Sequence, residues 1–129
     1  MPGGVAAVNN LISVVDDDES VRESLPDLLR SFGLKVQAFS SAEAFLNSES
    51  LDRTKCLILD VAMPGMTGPE LEQELLRRKR KLPIIFITAH SDERTLPRIL
   101  QNGAVACLFK PFSEAILLEA VNAALGKGG

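Results

Sequence analysis

The sequence predicts a single doubly wound (βα)5 α/β domain whose five-stranded parallel sheet has the flavodoxin-like order 2-1-3-4-5. Three observations lead there. Five short apolar runs recur along 129 residues, stretches with helical spacing separate them, and the runs end abruptly at polar or charged residues, as central parallel strands do. Alternating strands and helices with right-handed crossovers leave a sheet covered on both faces as the natural solution at this length.

The first strand is Leu11-Ile12-Ser13-Val14-Val15, stopped by Asp16-Asp17-Asp18-Glu19. From Ser20, apolar residues at Val21, Leu25, Leu28, Leu29 and Phe32 mark one face of a first helix, and Gly33 supplies a left-handed stop. Pro26 interrupts that pattern, so a kink or a late start is expected. Residues 34–39 form a second strand, and Ser41 caps a short second helix over 42–46 in which Ala44 stands where a capping box would place Glu or Gln. The third strand, 56–60, delivers Asp60 into the loop Val61-Ala62-Met63-Pro64-Gly65-Met66-Thr67-Gly68. Gly68-Pro69-Glu70 opens a third helix with Leu71, Leu75 and Leu76 expected inward.

The five consecutive basic residues 77–81 read as a solvated helix end favoured by the dipole, with a docking patch as the other reading. Residues 83–88 make the fourth strand, 92–102 a fourth helix interrupted by Pro97, and 104–109 the fifth strand. Ser113 caps a fifth helix, whose Ile116, Leu117, Ala120, Val121 and Ala124 give a wide apolar face through Leu125. Residues 1–9 and 126–129 are expected to be flexible ends, the latter a tail or linker stub, around a domain spanning 10–125.

The bulk numbers exclude several classes. A net charge of −3 argues against a constitutive nucleic-acid binder, and no apolar run approaches the roughly 18 residues of a membrane span. No basic residue occurs among the first ten to start a signal peptide. The two cysteines, Cys56 and Cys107, sit in apolar runs, which favours reduced, buried thiols in a cytoplasmic protein over a disulfide or a metal pair.

The chemistry collects at the carboxyl ends of the strands, where ligands bind in such sheets. Asp16 and Asp17 follow strand one, Asp60 ends strand three, Thr88 ends strand four, and Lys110 follows strand five. Carboxylates crowded at one edge repel by about 4 kcal/mol per close pair at an effective dielectric near 20 unless a cation intervenes. An all-oxygen set suits Mg²⁺ better than a thiol- or imidazole-loving metal, and Mn²⁺ is the substitute. Such a metal would let Asp60 attack a phosphoryl group in line, with Lys110 and the Thr88 hydroxyl on the phosphate oxygens.

The motifs VVDDDES, LILDVAMPGMTG, ITAH and FKPF occur in the order found in receiver domains of two-component response regulators, and the chain resembles that family over 10–125. SSAEAFL is similar to the FixJ-like subgroup. The resemblance implies that Asp60 is the phosphoacceptor, served by a sensor histidine kinase. It implies Asp17 as a direct metal ligand, Asp16 as one acting mostly through water, and the Ala62 carbonyl as the backbone ligand. Thr88 becomes the switch hydroxyl, Lys110 the phosphate-binding lysine, and Lys110-Pro111 a cis peptide. It further implies a phosphorylation-dependent homodimer through the fourth helix, fifth strand and fifth helix, and an output that is usually a DNA-binding domain.

One departure stands out: Cys107 occupies the switch position three residues before the lysine, where the family usually carries Tyr or Phe. A thiol is too small to swing between buried and exposed positions with the same change in area. His90, two residues past Thr88, reads either as an exposed loop residue or as a modulator of phosphoryl lifetime. Three other functions compete. A degenerate receiver would serve only as a protein-interaction module. An aspartyl-nucleophile phosphatase would need an acid where Ala62 stands, and a flavin or nucleotide binder would need a glycine- or hydroxyl-rich first loop where this chain has acids.

Overall fold

A computed structural model of the chain describes residues 11–89 and 104–128. The elements are β1 (Leu11–Val15), α1 (Glu19–Ser31), β2 (Lys35–Phe39), α2 (Ala42–Leu46), a 3₁₀ turn (Glu49–Asp52), β3 (Thr54–Asp60), α3 (Gly68–Arg77), β4 (Ile84–Thr88), β5 (Ala106–Phe109) and α4 (Glu114–Gly128). All five strands pair in parallel in the order β2-β1-β3-β4-β5, as expected. The predicted fourth helix over 92–102, with Pro97, lies outside the described residues, so α4 is the helix predicted as the fifth.

Alternation along the strands splits the core into two layers. Ile12, Val14, Ile58, Ile85, Ile87 and Leu108 face Leu25 and Leu29 of α1 and Leu117, Val121 and Ala124 of α4. Val15, Leu57, Leu59, Ile84 and Phe86 face Phe45 of α2 and Leu71 and Leu75 of α3. Both faces being apolar, each central strand reads as a continuous hydrophobic run.

Local chemistry sets the boundaries. Asp18 caps α1 by accepting from the Ser20 amide (2.9 Å) and hydroxyl (2.8 Å), so this helix begins one residue before Ser20. It does not start late; it runs through the buried Pro26. Ser41 accepts from the Ala44 amide at 3.0 Å. Thr67 and Glu70 form a capping box at α3, the Thr67 amide donating to Glu70 at 2.9 Å. Ser113 accepts from the Ile116 amide at 3.1 Å ahead of α4.

β3 starts at Thr54, two residues before the predicted edge, because a polar pair is hidden there. The Thr54 hydroxyl donates to the Ser50 carbonyl (2.6 Å), so the buried Ser13 hydroxyl donates to Thr54 Oγ1 (2.6 Å). Two apolar expectations fail. Leu76 was expected inward but is 46% exposed, since Leu71, Glu72 and Leu75 fill the inner face of α3 and Leu76 follows about 100° further round. Ile116, on the expected apolar face of α4, is 51% exposed. α4 itself continues through Gly128, into the segment expected to be a tail.

The basic run ends α3. Arg77 and Arg78 both bond Glu74, holding its carboxyl down at about 2. Lys79 takes a left-handed φ of 60° where the helix closes with the Arg80 amide on the Leu75 carbonyl (2.8 Å). Arg80 then pairs with Asp52 at 2.5 Å.

Candidate functional site

β1 and β3 are neighbours, so their carboxyl ends bring Asp16 and Asp60 together across adjacent strands. Asp16 is fully buried and Asp60 is 6% exposed, whereas Asp17 is exposed. One carboxylate oxygen from each of Asp16, Asp17 and Asp60 lies within 4.8 Å of the others. This donor set is all oxygen and all anionic, which fits a hard divalent cation such as Mg²⁺ and not a soft one.

The backbone fixes each acid. The Asp16 amide donates to the Phe39 carbonyl (3.1 Å), and its Oδ1 accepts from the Asp18 amide (2.9 Å). Arg22 of α1 reaches back to the Asp16 carbonyl at 3.0 Å, a support with no sequence signal beyond its place on the helix. Asp60 Oδ1 accepts from the Ala62 amide at 3.4 Å, and the Val61 amide is held by the Ile87 carbonyl at 2.9 Å. Gly68 is needed at the start of α3 because a Cβ there would collide with the Asp60 carbonyl oxygen and press on Phe86. On the far side of the loop, Glu43 of α2 accepts from the Met66 amide at 3.3 Å.

Lys110 supplies the cation. Its Nζ donates to Asp16 Oδ2 at 2.9 Å, while its amide donates to the Thr88 carbonyl at 2.8 Å. The Lys110-Pro111 bond is cis, as the resemblance implied. Burial works to lower the Lys110 pKa, but the bond to Asp16 and the charges of Asp16 and Asp60 outweigh it and raise the value. Asp60 is pushed up to about 7, first by burial and then by the Asp16 charge, with Lys110 opposing. A carboxyl so displaced needs more positive charge to stay ionised at neutral pH.

The structure therefore brings together Asp16, Asp17, Asp60 and Lys110, with Thr88 tied to Lys110 through the backbone. Cys107 is not in this site: it pairs in register with Phe86 and packs partly buried against the α2/α3 layer. Cys56 is fully buried, its thiol pushed up to about 12, and neither cysteine is in a disulfide. His90 lies outside the described residues. Phe109, opposite Thr88 in register, is 39% exposed. Among the described residues no helix is long and apolar enough to cross a membrane.

A parallel sheet presenting an acidic cluster and one lysine at its carboxyl edge defines a class of α/β domains that could hold a divalent cation and an anion side by side there. The sequence model of the response regulator receiver domain matches residues 12–122, and the chain belongs to that family, whose general function is phosphorylation on an aspartate. Over 119 residues it is 47% identical to Nodulation protein W of Bradyrhizobium diazoefficiens, covering 92% of this chain and 52% of that one. It is 44% identical over 117 residues to the transcriptional regulatory protein FixJ of Azorhizobium caulinodans, covering 90% of this chain and 55% of that one. The chain thus spans about half the length of these relatives. Among solved structures, it is similar to FixJ-N with a TM-score of 0.82 and 35% identity, over 91% of this chain and 94% of that one.

Proposed function

We propose that Asp60 is the phosphoacceptor and takes its phosphoryl group from the phosphohistidine of a sensor histidine kinase. The observation that carries this is the placement of Asp60: nearly buried at the end of β3, beside two further carboxylates and the Lys110–Asp16 pair. An Asp60 oxygen attacks phosphorus, the phosphorus–nitrogen bond of the donor breaks, and its electron pair returns to the imidazole. The product is an acyl phosphate on Asp60. Asp16, Asp17, Asp60 and the Ala62 carbonyl would hold Mg²⁺ or Mn²⁺, which supplies charge neutralisation for the carboxylates and the incoming phosphate. Lys110 then serves a phosphoryl oxygen as a point charge, and the Thr88 hydroxyl another.

This is a switch rather than an enzyme acting on outside substrates: Ala62 offers no proton to a leaving alcohol, which disfavours the phosphatase reading. The signal passes through the Lys110–Thr88 backbone bond into β5, where Cys107 replaces the usual aromatic residue. Exposed Phe109 on β5 and Ile116 on α4 support the phosphorylation-dependent homodimer expected through these two elements and residues 92–102. An output in regulating transcription is supported by the name of the FixJ relative, which, like Nodulation protein W, is about twice the length of the matched region.

Incubation with acetyl phosphate and Mg²⁺ tests the reading. A labile, near-stoichiometric adduct is expected. Sustained release of phosphate from ordinary esters would favour the phosphatase, and the absence of any adduct the interaction-module reading.

A further inference from the structure

The pole opposite Asp60 carries the reverse charge. At the amino ends of β1, β2 and β3, an open cavity of about 740 Å³ is lined by the cations Arg30, Lys35, Arg53 and Lys55. Beyond it, a smaller one of about 290 Å³ is lined by Lys55, Lys79, Arg80 and Lys81. Lys55 and Asp52 border both, so the two cavities adjoin and are treated together as one groove. Seven of the chain's 14 lysines and arginines line it, although the chain as a whole carries −3. Asp52 is the one carboxylate in either lining, and it is paired with Arg80.

The groove is not purely polar. Leu11, Leu34 and Val36 line the larger cavity, and Leu51, Leu82 and Pro83 the smaller. Its wall is also pinned: Arg30 donates from Nη2 to the Val36 carbonyl at 3.0 Å, fixing that guanidinium along the edge strand β2. All seven cations are exposed, and of them Arg30, with Asp27, and Arg80, with Asp52, are in ion pairs.

We propose that this groove docks an acidic peptide segment of a protein partner, one in which carboxylates alternate with apolar side chains. Charge complementarity supplies the attraction: the groove's cations act together over a Debye length of about 8 Å at physiological salt. The apolar lining selects the class of anion. A nucleic-acid backbone presents phosphates but no apolar side chains to cover the partly exposed Leu11, Leu34, Leu82 and Pro83. An acidic peptide with interspersed leucines satisfies both surfaces. Because the groove lies at the amino ends of the strands and Asp60 at a carboxyl end, docking and phosphorylation use different residues.

The test is a titration of the full chain with a fluorescent twelve-residue peptide repeating Glu-Glu-Leu, followed by anisotropy and by backbone amide NMR. Saturable binding is expected, with shifts centred on 30–37, 52–55 and 79–83. Its affinity should fall about tenfold or more as salt rises from about 50 to about 300 mM. The doubly substituted Lys55→Glu, Lys81→Glu protein should lose at least tenfold in affinity yet still accept a phosphoryl group on Asp60, which verifies its fold. Non-saturable binding, shifts elsewhere, unchanged affinity in the double variant, or equal affinity for an all-Glu peptide or duplex DNA would each overturn the proposal.

Discussion

Lys110 Nζ lies 2.9 Å from Asp16 Oδ2, joining residues 94 apart in sequence, and the carboxylate it neutralises is fully buried. Removing one member of a buried pair leaves the other charge uncompensated. Lys110→Met is therefore expected to destabilise the protein by about 2 kcal/mol, below the usual 3–5 because the Asp18 amide still serves Asp16. Urea unfolding measures this. Added Mg²⁺ should recover more stability in the variant than in the parent, since the metal then faces no competing ammonium for Asp16.

The raised Asp60 pKa makes the metal-free protein pH-sensitive. Unfolded, this carboxyl titrates near 3.9; folded, near 7. Between these values the folded state holds a proton that the unfolded state lacks, so stability falls as pH rises. The contribution is fully present below about pH 4 and is lost as pH passes through 7. In chelator-treated protein, Asp60→Asn should flatten this slope and be the more stable by on the order of 2 kcal/mol near pH 8. Thermal melts across pH 4–8 read it out.

Gly68→Ala adds a methyl group against the Asp60 carbonyl. Backbone cannot give way as a side chain tip can, so a loss of about 1–3 kcal/mol is expected, together with slower phosphorylation as Asp60 is displaced. Gly33→Ala makes a useful contrast. Its Cβ would meet open space, but the φ of 85° strains any side chain, so a cost of about 1 kcal/mol should come with no change in phosphorylation.

Thiol labelling should separate the two cysteines. Cys56, fully buried and pushed up to about 12, should react only on global unfolding. Cys107, half-buried on the edge strand β5, should label slowly from the native state. Equal rates for both thiols under native conditions would show that β3 opens as readily as β5.

Much of this was legible in sequence because the strands are apolar on both sides and stop at their functional residues: Val15 at Asp16, Leu59 at Asp60, Ile87 at Thr88. What stayed hidden was polar or three-dimensional. Thr54 and Lys55 carry no strand-like apolar run, so β3 was read two residues short, although Thr54 is buried by hydrogen bonds to Ser13 and Ser50. Leu76 and Ile116 satisfy helical periodicity as residue types, yet which edge of a helix is covered depends on its neighbours. Asp16 and Lys110 were both named from sequence, but not their bond, nor the support Arg22 and Glu43 give from adjacent helices. The opposite charge of the two poles was legible only in the basic run 77–81, since the groove cations come from five separate places in the chain: Arg30, Lys35, Arg53, Lys55 and 79–81.

The claim that Asp60 accepts the phosphoryl group is tested most directly by locating it. After reaction with acetyl phosphate and Mg²⁺, peptide mapping by mass spectrometry should find the group on the peptide containing Asp60, and Asp60→Asn or a chelator should abolish it. A phosphoryl group on another residue, or one that persists undiminished in Asp60→Asn, would show that the acidic cluster is not the acceptor site.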